Sequence, residues 1–343
     1  MKNTYTFDLQ LFANQVQTTL LSGLTPEMKT YYDMRLIDEA SAALVHDQFG
    51  QKRPIPANGG KTIEFRKFAP LAKALTPITE GVTPDGKSLS VSTITATVSQ
   101  YGDYITQSDV LELTALDNTI LEATKLLGKQ AGLTLDTVTR NVITGGTNVT
   151  YCPKVSAAGA ETAVTKRTDL DLTAKLTVKV IQKVVAKLRG QNAPTIGGKY
   201  VAIIHPYVAY DLMRDPEWVD AHKYANPDNL YVGELGEIAG VRFVDSTEAK
   251  IWNDSTCPSD GSTGHYSVYS TLFLGEGAYG VTEITGGGLQ TIIKQKGSAG
   301  TADPLDQRSS VGWKAIKTAE ILIPNYLVRV ESCSPDFPAT AAN

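Results

Sequence analysis

The chain has 343 residues, 32 Lys and Arg against 36 Asp and Glu, a formal charge of −4, and 42% hydrophobic with 20% charged residues. That balance is globular and excludes disorder along the whole length, and its slight acidic excess is the wrong sign for a protein built mainly to grip nucleic acid. Apolar runs such as Ile321–Ile323 fall far short of the roughly 20 residues a membrane helix needs, and polar residues follow Met1-Lys2 where a secretory signal would be apolar.

The first two dozen residues read as an arm, with Phe7, Leu9 and Leu11 alternating with polar partners as in an edge strand. A helix starts at Thr25-Pro26-Glu27, which supplies a hydroxyl N-cap, a Pro at the first helical position and an acid beside the positive helix end. Its stripe is Tyr32, Leu36, Ala40 and Ala43 or Leu44, and Gly50 can end it. The stripe packs either on its own domain or on a neighbouring chain.

From Pro54 to Thr106 the chemistry is β. Ile63 and Phe65 alternate with Glu64 and Arg66, a second arm runs from Ser88 to Thr106, and Thr83-Pro84-Asp85-Gly86 forms the turn between them. Leu89 and Val91 are odd-numbered whereas Ile94, Ala96 and Val98 are even, a phase slip that predicts a bulge or twist near Thr93. This hairpin is Thr- and Ser-rich with little apolar surface, and alone it is marginal.

The strongest periodicity follows. Ile120, Thr124, Leu127, Ala131, Leu135, Val138 and Val142 fall on one face of a helix over Asn118–Ile143, stopped by Gly145-Gly146. Its length is roughly 39 Å. Gly128 and Gly132 lie inside it, each costing about 1 kcal/mol relative to Ala, so they imply a close backbone neighbour or a bend. Thr147–Thr168 reads as a loop or insertion. Leu172, Leu176, Val180, Val184 and Leu188 predict a second helix ending at Gly190. Strands follow at Lys199–Ile204, Val241–Val244 and Val268–Leu274, with a short helix around Tyr207–Arg214. Leu289–Gln295 and Lys314–Arg329 return to strand chemistry, with Pro304–Ser310 as a polar connector. The class is α+β.

Motifs for chemistry fail one by one. Gly275, Gly277 and Gly280 have the G-x-G-x-x-G spacing, but Val281, Thr282 and Ile284 continue as a strand, and no acid follows at the distance a ribose needs; a tight turn between strands is expected. Gly59-Gly60-Lys61-Thr62 lacks the first Gly of a phosphate loop, Ile55 standing there between two prolines. His46, His205, His222 and His265 never share metal-ligand spacing, and no C-x-x-C exists. His205 is placed at a strand end, and Asp215, Glu217 and Asp220 in a solvated acidic turn rather than a carboxylate pair. Three cysteines are too few for a disulfide framework and fit a reducing cytosol; Cys152 and Cys333 are expected near the ends of weakly ordered stretches, and Cys257 in a Ser-, Asp- and Gly-rich run. No catalytic constellation, cofactor site or metal site is expected.

The order of elements (arm, helix, long hairpin, very long Gly-terminated helix, compact α/β unit, closing strands) resembles the major capsid proteins of tailed bacteriophages with the Hong Kong phage-type fold, in the branch of the N-four-type phage coat protein. The resemblance implies an N-terminal arm and helix over 1–53, an E-loop hairpin over 54–106, a peripheral P-domain with its spine helix and following loop over 107–169, an axial A-domain over 170–284, and closing P-domain strands with a tail over 285–343. The stretches Asp306-Gln307-Arg308, Val311–Ala315 and Leu327–Val330 look like those closing strands, and Phe7–Ala13 is similar to the start of many coat proteins from phages of Gram-positive hosts. The implied role is structural: hexamers and pentamers closing an icosahedral container for double-stranded DNA that is enclosed without sequence-specific binding, assembled in the host cytoplasm and residing in the virion. Implied partners are further copies of the chain, a separate scaffolding protein, a portal and a decoration protein. The hairpin tip, Pro84, Asp85, Gly86 and Lys87, is expected over an adjacent subunit, and Gly128 and Gly132 at a close contact of the spine helix. An encapsulin-like shell housing enzymes remains the alternative within the fold, and a β-rich polysaccharide-active enzyme the alternative outside it.

Overall fold

The computed structural model describes residues 34, 36–37, 39–40, 44–54, 61–68, 71, 73–78, 80–81, 83, 86–89, 91–114, 119–223, 236–262, 264–283, 289–298 and 303–343. The N-terminal arm, the helix start at Thr25, and Pro84 and Asp85 of the hairpin tip lie outside these residues.

In chain order the elements are β1 (Gln51–Arg53), β2 (Thr62–Phe68), β3 (Val91–Thr97), β4 (Ser99–Ser108), α1 (Asp109–Thr114), α2 (Thr119–Thr144), β5 (Val149–Tyr151), β6 (Lys154–Val155) and β7 (Glu161–Thr162). There follow α3 (Val178–Gly190), β8 (Tyr200–Ile204), α4 (Pro206–Met213), α5 (Pro216–Lys223), β9 (Glu237–Ile238), β10 (Val241–Asp245), β11 (Ile251–Trp252), β12 (Val268–Leu274) and β13 (Tyr279–Thr282). The chain closes with β14 (Leu289–Lys294), β15 (Arg308–Lys317), β16 (Ala319–Ile321) and β17 (Leu327–Cys333). The mixture of helix and sheet agrees with the α+β class read from the sequence.

Two compact units emerge. The first comprises residues up to 41, Gly102–Ala131 and Gln290–Lys314. Met34, Leu36, Ile37, Glu39 and Ala40 are helical, with Leu36 and Ala40 buried as the stripe required. A three-stranded sheet has the order β14-β15-β4. Gly102 and Gly312 let β4 and β15 approach, since a Cβ on Gly102 would stand 2.6 Å from the Trp313 carbonyl oxygen and one on Gly312 2.7 Å from Tyr104 Cβ. Gln130 bridges the layers: its Nε2 donates to Asp103 Oδ2 at 2.7 Å, and its Oε1 accepts from Trp313 Nε1 at 3.2 Å.

The second unit comprises Ala42–Tyr101, Gly132–Leu289 and Ala315–Asn343. Its largest sheet runs β5-β17-β12-β8-β10-β9, with β11 also pairing with β12. Every residue of β8 and β12 is buried, Ser270 and Thr271 among them, as befits central strands covered on both faces. Helix α3 lays Val180, Ile181, Val184, Val185 and Leu188 into the same core as Phe273, Val328 and Val330. A smaller sheet, β1-β13-β16, pairs β1 parallel to β13.

Several sequence expectations need correction. No bulge occurs at Thr93: β2 and β3 pair one for one from Thr62↔Thr97 to Phe68↔Val91. Ile94 and Ala96 face the packed side, whereas Leu89 and Val91 are simply exposed, so no slip is needed. The second arm is not one hairpin strand, because after Val98 it leaves β2 and joins β15 as β4. Helix α3 begins at Val178, not near Leu172: Asp171 Oδ1 accepts from the Thr173 amide at 2.8 Å, an Asx turn that competes with helix. Glu217 and Asp220 lie in α5 rather than in a turn, and Asp215 stands just before it, accepting from the Glu217 amide of α5 and the Val178 amide of α3. The expected connector Pro304–Ser310 already contains the start of β15. Within Thr147–Thr168 the chain forms β5 and the small β6–β7 hairpin. Cys152 and Cys333 are core residues, not the ends of loose stretches.

His205 lies at the end of β8 and caps α4, its Nδ1 accepting from the Tyr207 amide at 3.2 Å while its ring packs against Tyr207 and Tyr269. Burial lowers its pKa to about 4. The unfolded chain therefore takes up this proton first, and stability present above pH 6.5 drains away as pH falls towards 4, by about 3 kcal/mol at most. His205→Asn keeps an N-cap acceptor but cannot titrate, so its denaturation midpoints should change less between pH 7 and pH 4 than those of the parent chain.

Candidate assembly surfaces

The ribbon β2–β3 packs on the body at its base. Ile63, Phe65 and Ala96 are buried with Leu322, and the Phe65 ring lies flush on Gly280 of β13, where a Cβ would come within 2.3 Å of the ring. Beyond the ribbon every described residue from Leu71 to Leu89 is exposed. Four are large and apolar, including Leu75 at 82% and Ile78 at 76% exposure with Leu71 and Leu89. A cluster of exposed apolar side chains on an extended segment is the signature of a surface awaiting a partner.

The place where this ribbon leaves the body is set by a buried polar cluster. Asp47 accepts from Thr139 Oγ1 of α2 at 2.8 Å and from the Lys317 ammonium at the end of β15, and Lys317 is fully buried. Burial pulls the Lys317 pKa below its ordinary value, opposed chiefly by the charge of Asp47. Next to it, His46 gives its amide to Asp136 Oδ1 at 2.7 Å and sets Nδ1 2.7 Å from Asp136 Oδ2, both residues being wholly buried. The Tyr279 hydroxyl donates to the His46 carbonyl, and burial raises its pKa well above the usual phenol value, which keeps it a neutral donor. The turn at 45–49 is thus tied to α2, β13 and β15, and β1 follows it directly. None of these pairs, some 90 residues apart or more, was found from the sequence, and no local pattern announces them.

Of the site residues named from the sequence, Gly86 and Lys87 are exposed, and a Cβ on Gly86 would meet nothing within 4 Å. Gly128 and Gly132 are both buried. A Cβ on Gly128 would stand 3.0 Å from the Leu36 carbonyl oxygen and from Glu39 Cβ, so the neighbour that approaches is a helical stretch of the same chain.

The three motif glycines have separate structural duties. Gly275 is backed by the Pro194 carbonyl, Gly277 takes a positive φ of 70° in the turn between β12 and β13, and Gly280 receives Phe65. The segment continues as a strand with no helix N-terminus to hold a phosphate. Cys152, Cys257 and Cys333 are free buried thiols; burial pushes Cys333 up to about 12 and Cys152 higher still, so neither supplies a reactive thiolate. Among the described residues no group of three His, Cys, Asp or Glu is placed to hold a metal, and no helix is long and apolar enough to cross a membrane.

Comparison with known proteins gives a consistent result. The sequence profile of a family described as phage capsid protein matches residues 8–298. Among curated proteins none matches. The capsid structure of cyanophage P-SCSP1u superposes with a TM-score of 0.59 at 14% identity, covering 97% of each chain. The capsid of Ralstonia phage GP4 gives 0.61 at 14% identity, over 86% of this chain and 87% of the other. The cyanophage Pam1 capsid gives 0.61 at 12% identity, over 96% and 99%. The fold is that of tailed-phage capsid structures.

Two outcomes test the geometry. Asp47→Asn leaves the Lys317 ammonium buried without its carboxylate and should cost about 3–5 kcal/mol in urea denaturation, with Lys317→Met restoring part of the loss in the double variant. Gly128→Ala gains about 1 kcal/mol of helix propensity but must displace the Leu36 carbonyl, an overpacking cost of about 1–3 kcal/mol. Its denaturation midpoint should therefore fall rather than rise.

Proposed function

The chain belongs to the phage capsid protein family and is a structural component of the virion; from that premise we propose that it assembles into the hexamers and pentamers of an icosahedral head enclosing double-stranded DNA. The observation that carries the reading is the segment 71–89: among its described residues four large apolar side chains, Leu71, Leu75, Ile78 and Leu89, stand exposed. In a shell this segment, with the tip at Pro84, Asp85, Gly86 and Lys87, lies over an adjacent copy, which removes that apolar surface from water. Residues 1–53 serve as arm and helix, 54–106 as the E-loop and 107–169 as P-domain with α2 as its spine. Residues 170–284 form the axial A-domain, and 285–343 closes the P-domain with a tail, while β5 and β17 extend the large sheet beside β12. Assembly takes place in the host cytoplasm, with a scaffolding protein, a portal and a decoration protein as further partners. The role requires no catalysis.

Expression of the chain followed by electron microscopy tests this directly, closed particles of uniform size being the expected product. Leu75→Asp combined with Ile78→Asp should leave circular dichroism intact and shift the unfolding temperature by no more than about 2 °C, since both sites are exposed. The same variant should yield no closed particles. Normal particles from it would mean that the segment is not an intersubunit clasp. Particles that form only around a protein cargo and never around DNA would favour the encapsulin-like alternative.

A further inference from the structure

Charge is unevenly spread along this chain. Between Lys154 and Lys199 stand nine Lys and Arg against three acids, in a chain whose total is −4. Helix α3 concentrates the excess. Its apolar face, Val180, Ile181, Val184, Val185 and Leu188, is sunk in the core, so Lys179, Gln182, Lys183, Ala186 and Lys187 form the face turned to solvent, all exposed but the partly covered Lys187.

That face carries no acid. Surface helices ordinarily alternate charge so that residues four apart attract, but here Lys179, Lys183 and Lys187 follow one another at that interval and repel. Lys179 has Glu161 at 2.8 Å, whereas Lys183 and Lys187 have no anion at ion-pair distance among the described residues. The Lys187 ammonium is held below its ordinary pKa by partial burial and by Lys183 beside it. The three ammonium groups climb the helix in steps of about 6 Å, a row of point charges that would gain from an anionic lattice.

The side chains on this face say which lattice. Protein interfaces are depleted in Lys and rely on aromatic anchors at their centre, and the α3 face has none. Single-stranded nucleic acid is held by aromatic stacking platforms, also missing. Lys and Gln without apolar anchors are what a phosphate backbone needs. We infer that the outer face of α3, through Lys179, Gln182, Lys183 and Lys187, is a sequence-independent contact for the phosphate backbone of duplex DNA, turned towards the interior of the shell. The inference rests on the capsid reading for its shell and its DNA, and adds which surface meets that DNA.

Lysine acetylation read by mass spectrometry on DNA-filled and DNA-free particles tests it. Lys183 and Lys187 should react at least about fivefold more slowly in filled particles. Equal reactivity in both states overturns the inference: equally fast means that nothing contacts the face, and equally slow means that a neighbouring subunit covers it. A second measurement uses Lys183→Gln with Lys187→Gln and a random-sequence duplex of about 30 base pairs. The slope of log affinity against log salt should flatten by about 2, one unit per lost phosphate contact, whereas the exposed Lys129→Gln on α2 should leave affinity unchanged relative to the double variant's loss. An unaltered slope in the double variant would sink the proposal. If the parent chain forms no particles at all, it is the capsid reading that fails.

Discussion

A single buried carboxylate holds this architecture in register. Asp47 sits between a hydroxyl on α2 and an ammonium at the end of β15, segments that come from distant parts of the chain. Lys317 is wholly buried and Asp47 nearly so, so each charge is tolerable chiefly because the other is present. Burial alone would drive Lys317 towards its neutral form, and the Asp47 charge opposes it. An apolar pair could fill the same volume at no electrostatic cost, but it would tolerate sliding by a residue, which an ion pair with a hydroxyl partner does not. Precision is needed here because β1 begins four residues after Asp47, and β1 pairs with β13, the strand whose Gly280 receives the base of the ribbon. An error at Asp47 would be carried into the direction in which the ribbon leaves the body.

The C-terminus of α2, just beyond Thr139, is fixed by a related device. Its last turn carries no basic residue, yet its terminal carbonyls need donors and its negative end favours a cation. Arg329 of β17 supplies both, donating to the carbonyls of Thr144 and Gly146. Arg329 is held by Glu331, which is wholly buried and gripped bidentately by Arg167 at 2.7 Å through each nitrogen. Arg167 in turn lies 3.9 Å above the Trp252 ring. Arg140 adds a link from the middle of the last turns to the Glu248 carbonyl at 2.8 Å. The C-terminal half of the helix is thus bound to its own sheet by charges placed where hydrophobic packing alone would leave polar groups stranded.

What the sequence made legible follows from where the information is local. The α2 periodicity and the β-branched and aromatic composition of β12 are written in consecutive residues, and both elements lie where their patterns put them. Leu172 and Leu176 kept helical phase by coincidence, and a side-chain turn at Asp171 overrode it. Leu89 and Val91 suggested a slipped register only because apolar residues were assumed to point inwards, an assumption that fails on a segment with no inside. Membership of β17 in the large sheet, and the pairing of His46 with Asp136, are long-range facts with no local trace. At the candidate surfaces the glycine at position 128 could be read as a close approach, but not that Leu36 of the same chain makes it.

These features bear on why such a chain would keep an extension that it cannot fold onto itself. A ribbon of seven residue pairs with one packed base gains little on its own, and ordering the residues beyond it costs conformational entropy that their exposed apolar side chains do little to repay. Selection for the stability of the single chain would shorten it. In the proposed shell the balance changes, because the extension meets the same surface on every neighbour and a weak contact is multiplied by the number of copies. The rigid part of each subunit must then present the extension at one angle only, since a closed surface tolerates no accumulated error. That requirement gives the buried ion pairs their role: they add little net stability over an apolar core, but they allow one arrangement of α2, β13 and β15 and exclude its near neighbours.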